Sequence, residues 1–371
     1  MRILQLGKFF PFRGGIEKVM QNLCIGFSTQ GIHCDILTAS ANGKTDPVHI
    51  NSRCTIFRTK TIYKMMATML SPKMITTLRK IQANYDIIHI HHPDPMATLA
   101  LFLSGFKGKV VVHWHSDIVR QKVALVLYRP LQNWLLKRAD IVLCTSPAYA
   151  GTEHLAEVQD KIAILPIGIE EMTPSHRWVQ SIQNDYIGKK IIFSMGRLVS
   201  YKGFEYLIQA AQYLSDDYVI LIGGRGPLYN KLKTLISDLN VEEKVKLLGT
   251  VPNETLPSYY GAAKLFCLSS IERTEAFAIV QVEAMACGTP IVATTIDGSG
   301  VPWVNKTGVS GLNVPTRNAS TLAEAIQTIC DDDKTHAEYS QRARQRFEEL
   351  FQLDTMVQNC QEIYQKLLAN S

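Results

Sequence analysis

The sequence predicts an α/β fold built from two domains, each with a doubly wound parallel sheet. The chain has 371 residues, which exceeds the usual size of a single hydrophobic core. Short β-rich runs alternate with helical stretches, as they do where crossover helices connect parallel strands. The alternation begins again at residues 189–196, after a polar stretch that ends near Tyr186. These three observations together favour two domains of similar size.

The strand candidates fall into two series. The first series is expected at residues 2–6, 34–38, 55–58, 87–90, 110–113, 141–144 and 162–165. The second is expected at residues 189–196, 219–222, 245–248, 265–268 and 290–293. We therefore predict a first domain at 1–168, a hinge near Gly168 and a second domain at 169–352. An amphipathic helix at 353–371 follows, and its return to the first domain is one possible arrangement.

The composition is that of a globular protein with ample material for hydrophobic cores. Hydrophobic residues make up 46% of the chain and charged residues 19%, and no low-complexity tract is present. We expect neither a signal peptide nor a membrane-spanning segment, because the first apolar stretch is too short for the former and no apolar run reaches the length of the latter. The eight cysteines are scattered singly, which favours free thiols in a reducing compartment. The expected location is the cytoplasm.

The positive charge is concentrated in the first half. Residues 1–171 contain 20 Lys and Arg against 12 Asp and Glu, a formal charge of +8, whereas residues 172–371 carry a formal charge of −2. A basic half can attract nucleic acid, an anionic membrane or a phosphorylated substrate. No nucleic-acid-binding module is recognisable, so we expect no nucleic-acid partner.

Three glycine-rich loops follow predicted strands, where ligands bind in doubly wound sheets. Gly14-Gly15 stands at the expected start of a helix and can bring backbone N–H groups to a phosphate, although a plain turn is the alternative. Gly196-Arg197 precedes Lys202, and these two cations can converge on a diphosphate. Gly223-Gly224 resembles a phosphate or ribose turn.

Two glutamates occur eight residues apart in the most informative stretch of the sequence. Good helix formers end at Gly288, and Thr274 is a candidate N-cap, so the pattern predicts a helix over about 275–287. Glu275 would then lie in its first turn and Glu283 roughly 12 Å further along its axis. That spacing suits the two ends of one extended ligand, whereas two solvated glutamates on a surface helix are the alternative.

Histidines end two strands of the first domain. His115 comes directly after a predicted strand and precedes Ser116 and Asp117, which suggests a site residue. His89, His91, His92 and Asp94 form an earlier group. We predict no metal site there, because His89 and His91 alternate along a strand while His92 is expected to open a loop.

Taken in their order along the chain, the motifs resemble those of family 4 of the retaining glycosyltransferases over nearly the whole sequence. Glu275 and Glu283 match the family's E-x7-E motif, and Gly15, His115, Gly196 and Gly224 fall at its other positions. This resemblance implies the GT-B fold, in which two Rossmann-like domains face each other across a cleft. The stretches 114–122 and 298–304 are similar to bacterial O-antigen and capsule transferases that are often labelled mannosyl- or rhamnosyltransferases.

The resemblance also implies roles for individual residues. Arg197 and Lys202 would hold the donor diphosphate, Glu275 the hydroxyl groups of the transferred sugar, and Glu283 the ribose. The remaining implied contacts to the donor are Gly15, His115 near the reacting carbon, Gly196, Gly224, Phe277, Ala278 and Ile279. No metal cofactor is implied, and the donor would be GDP-mannose or a UDP-hexose. Ala278 stands where the family commonly has Gly, which leaves the identity of the sugar open.

For the acceptor, the resemblance implies binding to the basic first domain. The expected acceptor is a saccharide linked to polyprenyl diphosphate. The segment 58–70 mixes cations with apolar residues, which suggests docking on the anionic inner face of the cytoplasmic membrane. The alternative for this segment is a helix that packs into the core.

Three other classes of protein remain as competitors. One is a GT-B-fold sugar-nucleotide epimerase or a phosphorylase, although no cofactor lysine of a phosphorylase is recognisable. Another is a nicotinamide-dependent dehydrogenase, but the G-x-G-x-x-G fingerprint is missing after both leading strands. The third is a saccharide-binding protein without activity. Intact Arg197, Lys202, Glu275 and Glu283 favour an active transferase.

Overall fold

The computed structural model describes residues 1–12, 14–65, 68–117 and 122–369. The chain divides into two compact units. The first unit consists of Met1–Gly168 and Leu353–Ser371, and the second of Ile169–Gln352. Arg13 of the first glycine loop, Met66 and Ala67 of the basic segment, and residues 118–121 of the O-antigen-like stretch lie outside the described residues.

The first unit is built on a largely parallel sheet. Its strand order in the described residues is β10-β9-β8-β7-β1-β2-β4-β3, and only β3 runs antiparallel to its neighbour. Among the central strands, β7 is buried throughout and β8 is buried after Lys109, as expected for a parallel sheet covered on both faces. The strands are β1 Arg2–Phe10, β2 His33–Ser40, β3 Val48–Asn51, β4 Cys54–Lys60, β5 Tyr63–Met65, β6 Thr68–Leu70, β7 Ile87–His92, β8 Lys109–Trp114, β9 Ile141–Cys144 and β10 Ile162–Ile164.

The helices of the first unit include the last helix of the chain. They are α1 Gly15–Thr29, α2 Pro72–Ile81, α3 Pro95–Ser104, α4 Lys122–Arg138, α5 Pro147–Ala150 and α14 Leu353–Ala369. Helix α14 packs on α1 at Gly26, where a Cβ would lie only 2.4 Å from Val357 Cγ2. From the same helix, the buried Tyr364 hydroxyl is hydrogen-bonded to His89. This C-terminal helix therefore covers the sheet of the first unit.

The basic segment 58–70 forms strands instead of a helix. It contains the end of β4 and then the antiparallel pair β5–β6, in which Tyr63 is opposite Leu70. The alternative of a helix packed into the core is therefore wrong for this segment. Its residues include β-branched and aromatic types at Thr61, Ile62 and Tyr63, which favour extended backbone.

The second unit has a sheet that is parallel throughout. Its strand order in the described residues is β13-β12-β11-β14-β15-β16. The strands are β11 Lys190–Met195, β12 Tyr218–Gly223, β13 Val245–Gly249, β14 Leu265–Leu268, β15 Ile291–Thr295 and β16 Gly311–Pro315. The helices are α6 His176–Asp185, α7 Phe204–Ala210, α8 Tyr229–Asp238, α9 Leu256–Ala262, α10 Ile279–Ala286, α11 Val301–Val304, α12 Ala319–Cys330 and α13 Asp333–Leu350.

The core of this unit contains the aliphatic faces of its strands and helices. Ile192 and Ile220 on the sheet are buried together with Leu207, Ile208 and Ile326 on the helices. At about 25 cal/mol per Å² of apolar area removed from water, such burial is the main favourable contribution to folding. The eight cysteines are free, and only Cys287 is partly exposed. Within the described part of the chain, no helix has both the length and the apolar character that crossing a bilayer requires.

Candidate functional site

In the second unit, the strand order reverses between β11 and β14. Strands β12 and β13 extend the sheet on one side of this point, and β15 and β16 extend it on the other. Loops that leave neighbouring strands in opposite directions open a crevice at the carboxyl ends of those strands. The loop after β11 carries Lys202, and the loop after β14 carries Glu275. The topology thus selects the same two loops that the sequence motifs had indicated.

Lys202 and Glu275 form an ion pair at this switch point. The Lys202 Nζ lies 2.5 Å from Glu275 Oε2, and each side chain is only 10% exposed. The Ser270 hydroxyl donates to the same Oε2 at 2.8 Å. The sequence had predicted the two residues to contact different parts of one ligand, and the structure places their charged groups side by side.

The predicted helix over 275–287 is wrong in its first turn. Helix α10 begins at Ile279, and Ala278 before it has a left-handed backbone with φ of 59°. Residues 299 and 300 hold the loop before α10 in a non-helical conformation. The Ser299 hydroxyl donates to the Glu275 carbonyl, and the Gly300 N–H donates to the Ala276 carbonyl. Glu275 therefore belongs to the loop, Thr274 does not cap the helix, and the axial separation expected for Glu275 and Glu283 does not apply.

The stretch from Phe277 to Ile279 can contact a ligand through its backbone N–H groups. The Phe277 side chain is buried and meets the Phe351 ring edge-on, with 6.0 Å between ring centroids. Ala278 is also buried, and Ile279 starts α10. Because the first N–H groups of a helix lack partners within it, this end of α10 favours anionic or polar ligand atoms. Any ligand contact of Phe277 is thus expected from its peptide group.

Glu283 lies on α10 and has a buried partner. The Tyr260 hydroxyl of α9 donates to Glu283 Oε2 at 2.8 Å. Burial, and then the neighbouring Glu283 carboxylate, raise the pKa of Tyr260 well above its usual value. The tyrosine therefore remains a hydrogen-bond donor and fixes one oxygen of the glutamate.

Glycines allow the loops after β11 and β12 to touch backbone to backbone. Gly224 has φ of 133°, and a Cβ there would lie 1.9 Å from the Gly196 carbonyl oxygen. At Gly196 itself, an added Cβ would lie 3.2 Å from Lys202 Cε. These glycines therefore bring the two loops and the Lys202 side chain together. The predicted cation Arg197 follows Gly196 directly and is exposed.

The first unit has its own switch point, between β1 and β7. Strand β2 lies on one side of β1 and β7 on the other. The predicted residue Gly15 begins α1 after β1 and is exposed, and Gly14 is the N-cap. The Glu17 side chain folds back over Gly14, where a Cβ would lie 2.1 Å from Glu17 Oε2. The structure thus places Gly15 at a helix N-terminus, as the sequence pattern indicates.

His115 follows β8 and contacts a second histidine. Its Nε2 lies 2.9 Å from His91 Nδ1, and His91 Nε2 lies 2.7 Å from Gln5 Oε1. Burial first, and then the nearby imidazoles and Lys8, hold the pKa of His115 well below its usual range. Its Nδ1 has no hydrogen-bond partner among the described residues. His115 is therefore a neutral ring with one unused nitrogen.

The imidazoles that come together are not the group considered from the sequence. His89, His91 and His113 have nitrogens within 4.8 Å of one another. His92 belongs to β7 instead of a loop and stacks on Trp114, and Asp94 caps α3. The rings of His89 and His91 are stacked 4.6 Å apart at 9°. Because an imidazole binds an ion in its own plane, these stacked rings could share one only if a ring turned.

Sequence reasoning missed the partners that orient the predicted residues. Ser270 and Tyr260 are hydrogen-bonded to Glu275 and Glu283, respectively. Gln5 and His91 form a hydrogen-bonded chain that ends at His115. A signal for Gln5 was present in the sequence, because a polar side chain inside the predicted buried strand 2–6 needs a hydrogen-bond partner. Its partner His91 follows only from the observed pairing, which places Gln5 opposite His89 on β7. The tyrosine comes from a separate helix and had no such signal.

Comparison with known proteins adds the family. The sequence profile described as "Glycosyl transferases group 1" matches residues 179–346, and the profile described as "Glycosyltransferase Family 4" matches residues 13–171. The O-antigen chain mannosyltransferase C of Escherichia coli is 30% identical over 99% of both chains. The chain belongs to glycosyltransferase family 4. The predicted family and the predicted class of enzyme, a hexosyltransferase, are thereby confirmed.

Two further similarities fit this family. The D-rhamnosyltransferase WbpZ of Pseudomonas aeruginosa is 28% identical and aligns with 95% of this glycosyltransferase, covering 92% of its own length. The crystal structure of Anabaena Alr3699/HepE in complex with UDP has a TM-score of 0.80 with 18% identity, covering 99% of this chain and 100% of that one. This likeness confirms the predicted fold class, GT-B, with parallel sheets in two domains.

Proposed function

We propose that this glycosyltransferase moves a hexose, with retention of anomeric configuration, from a nucleoside-diphosphate sugar to a saccharide acceptor. The proposed acceptor is carried on a polyprenyl diphosphate, and the proposed setting is the synthesis of O-antigen or a related surface polysaccharide. The names of the Escherichia coli and Pseudomonas aeruginosa relatives support this setting. The single observation that carries the proposal is the buried pair Lys202–Glu275 at the switch point.

The pair can serve a diphosphate and a sugar at the same time. An ammonium group has three donors, so Lys202 can keep Glu275 and also bind a phosphate oxygen. The contacts that Lys202 and Ser270 make to the Glu275 carboxylate both fall on Oε2. Its Oε1 can then accept hydrogen bonds from sugar hydroxyl groups. Glu283, held by Tyr260, would accept the ribose hydroxyls.

The proposed chemistry is electrostatic. As the bond between the anomeric carbon and the diphosphate breaks, negative charge grows on the leaving group, and Lys202 and Arg197 would stabilise it. The N–H groups at the start of α10 would add to this stabilisation. A donor phosphate oxygen would assist deprotonation of the acceptor hydroxyl, which attacks from the face that the leaving group vacates. This scheme needs no nucleophile from the protein.

For the donor we propose GDP-mannose, with a UDP-hexose as the second candidate. Support for mannose comes from the 30% identical mannosyltransferase, and support for UDP from the solved structure that contains it. In the first unit, Gly15 would approach the diphosphate with its backbone, and His115 would contact the transferred sugar. The proposed reaction needs no metal ion, because Lys202 and Arg197 would supply the positive charge that stabilises the leaving diphosphate.

We further propose that the first unit docks on an anionic membrane surface. Ile62 and Tyr63 are 66% and 64% exposed beside the exposed Lys60 and Lys64. A groove of about 600 Å³ next to them is lined by Arg58, Lys60, Ile62, Pro72 and Lys73. Exposed apolar rings beside lysines suit the interface between headgroups and acyl chains. The proposed location is accordingly cytoplasmic, peripheral on the inner face of the membrane.

Co-sedimentation with vesicles tests the docking. Glutamate in place of Lys60, Lys64 and Lys73 should release the protein from vesicles that contain anionic lipid, and added salt should release the wild type in the same way. A matched control reverses Lys231, Lys233 and Lys246, three lysines of the second unit. Equal sedimentation of the Lys60/Lys64/Lys73 variant and the wild type would contradict the docking.

An assay of transfer tests the function. The purified protein is incubated with GDP-mannose, UDP-glucose or UDP-galactose and a lipid-linked saccharide, and the anomeric configuration of the product is read by NMR. We expect transfer from one of these donors with the configuration of the donor retained. A product of inverted configuration would contradict the proposed mechanism, and hydrolysis or epimerisation of the donor without transfer would contradict the proposed function.

A further inference from the structure

A chain of hydrogen bonds runs from the centre of the first sheet to His115. Gln5 lies on β1, His91 on β7 and His115 just after β8, so three neighbouring strands contribute one residue each. The Gln5 amide, His91 and His115 are joined by contacts of 2.7 Å and 2.9 Å. All three side chains are buried, with Gln5 and His91 fully inaccessible to solvent.

The first contact sets the direction of the whole chain. Gln5 Nε2 donates to Cys34 Sγ at 3.7 Å, so the amide oxygen is the atom that meets His91. An amide oxygen only accepts hydrogen bonds, and His91 Nε2 must therefore carry a hydrogen. Since a neutral imidazole has one N–H, His91 Nδ1 is an acceptor. It requires an N–H at His115 Nε2.

This assignment of ring hydrogens requires that His91 and His115 are both neutral. Burial is the largest cause that holds the pKa of His91 and of His115 well below the usual range. Nearby imidazoles and the Lys8 ammonium act in the same direction. The hydrogen at His115 Nε2 is therefore the only one on that ring. Its Nδ1 is a lone-pair acceptor without a partner in the described residues.

We propose that Gln5 and His91 are positioning residues, which hold His115 as its Nε2–H tautomer so that Nδ1 accepts a hydrogen bond from a hydroxyl group of the transferred sugar. This inference deepens the proposed function and rests on it, because it requires His115 to contact the sugar. It also defines the chemistry of the ligand. An acceptor nitrogen repels the oxygens of a carboxylate or a phosphate, so the group facing His115 is a neutral hydroxyl, and a uronic acid with its carboxylate there is disfavoured.

The tautomer can be measured directly in the protein without substrate. Two-bond ¹H–¹⁵N NMR spectra of the chain labelled at its histidine rings distinguish protonated from unprotonated ring nitrogens, and the spectrum of His115→Asn assigns the His115 signals. We expect Nε2 protonated and Nδ1 unprotonated. The nucleotide sugar that supports transfer should then shift the Nδ1 signal, whereas the matching nucleoside diphosphate without the sugar should leave it in place.

Variants separate positioning from mere packing. His91→Leu removes the acceptor for His115, and we expect a mixture of His115 tautomers and a fall of about tenfold in kcat/KM, the size of one lost hydrogen bond. His91→Asn keeps an oxygen near the position of Nδ1, so it should restore most of the single His115 tautomer and most of kcat/KM. His89→Leu is the matched control, because His89 is equally buried on the same strand and face but lies outside the chain. It should leave the His115 tautomer unchanged.

Three results would overturn the inference. They are a wild-type spectrum with hydrogen on His115 Nδ1, a single unchanged tautomer in His91→Leu, and an equal loss of kcat/KM in His91→Leu and His91→Asn. If His91→Leu does not fold, Gln5→Leu takes its place, and an unchanged His115 tautomer there would be equally adverse. The substrate-free spectrum does not depend on activity, so failure of the proposed function is distinguishable: it would appear as absence of transfer with the Nε2–H tautomer intact.

Discussion

The two units carry polar groups at corresponding places in their sheets but keep them in opposite electrostatic states. In the second unit, Lys202 and Glu275 are charged groups paired at 2.5 Å. In the first unit, His89, His91, His113 and His115 are packed as rings whose pKa values burial holds low. The ion pair of the second unit suits an anionic diphosphate, and the neutral rings of the first unit suit neutral hydroxyl groups.

The difference also concerns how completely the polar atoms are satisfied. Within the described residues, the contacts of the Glu275 carboxylate with Lys202 and Ser270 are both made inside the second unit. In the first unit, both ring nitrogens of His113 and one nitrogen each of His89 and His115 lack partners in the described residues. The second unit has such atoms as well, among them Thr274 Oγ1 and Gln281 Oε1. A buried polar atom without a partner costs about 1–3 kcal/mol. The comparison teaches that the first unit carries more of this cost, and that much of it falls on neutral imidazole rings.

Lowering the pH should have the largest effect, because it should destabilise the first unit more than the second. The folded pKa of each buried histidine lies below the unfolded value of about 6.5, and that of His113 is about 3. As pH falls below 6.5, the unfolded chain binds protons first, so stability is lost at about 1.4 kcal/mol per pH unit for each such histidine. With His89, His91, His92, His113 and His115 in the first unit, we expect a loss of several kcal/mol by pH 5.

The second unit supplies the internal reference for this experiment, because His336 is the only histidine among its described residues whose pKa burial lowers. Hydrogen bonds from Ser215 and Lys190 lower the pKa of Asp217, so that stability is present above the unfolded pKa of about 3.9 and is lost only at more acidic pH. Limited proteolysis between pH 7 and pH 4.5, with the fragments identified by mass, should show the first unit opening before the second. Simultaneous opening of both units, or resistance of both down to pH 4.5, would be inconsistent with neutral buried rings.

Replacing Lys202 should have the next largest effect. Lys202→Ala removes the cation proposed to stabilise the leaving diphosphate, and we expect kcat to fall by about 10²–10³, or roughly 3–4 kcal/mol. Steady-state transfer kinetics measure the loss. Lys231→Ala, an exposed lysine of α8, is the matched control and should retain wild-type kinetics. A Lys202→Ala enzyme with kcat within threefold of wild type would remove this lysine from the proposed mechanism.

Tyr260→Phe should have a smaller effect, on binding. The variant removes the hydroxyl that fixes Glu283 Oε2 and retains the ring in the core. One lost hydrogen bond of about 1 kcal/mol should raise KM for the donor about fivefold with kcat little changed. Tyr259→Phe, the neighbouring tyrosine, serves as the control. If kcat falls and KM does not change, Glu283 acts in the reaction step instead of in ground-state binding.

Ala278→Gly should have the smallest effect, on stability. The left-handed backbone at Ala278 costs a residue with a side chain roughly 1–2 kcal/mol, and glycine avoids this cost but loses about 0.5–1 kcal/mol through the freedom of the unfolded chain. We expect the free energy of unfolding to rise by about 0.5 kcal/mol in urea titrations. A decrease of more than 1 kcal/mol would mean that the methyl group packs favourably enough to outweigh the backbone strain.

Much of the fold could be predicted because parallel strands are buried and short. The apolar runs of β7, β12 and β14 stand out between polar loops, and the structure has strands at each predicted position. Strand β16 was missed because it begins at Gly311 and ends at Pro315, residues that rarely favour strands. The short hairpin β5–β6 was missed because its alternation spans only three residues on each side.

The site could be predicted only as far as its local motifs extend. Lys202 and Glu275 follow strands directly, so strand positions sufficed to select them. The helix start at Ile279 could not be predicted, because good helix formers run on through Ala276 and Ala278 while Ser299 and Gly300 hold the loop from elsewhere. Contacts of this kind depend on the arrangement of distant segments, as does the contact of Gln5 with His91.

Donor binding measured by thermal shift tests the central claim, that the paired Lys202 and Glu275 form the donor site, most directly. A ligand that binds only the native state at 100 times its Kd stabilises it by about 2.7 kcal/mol. We expect GDP-mannose or a UDP-hexose to raise the Tm of the wild type clearly, and of Lys202→Ala and Glu275→Ala little. Equal increases in the wild type and both variants, or none with any nucleotide sugar, would contradict the account.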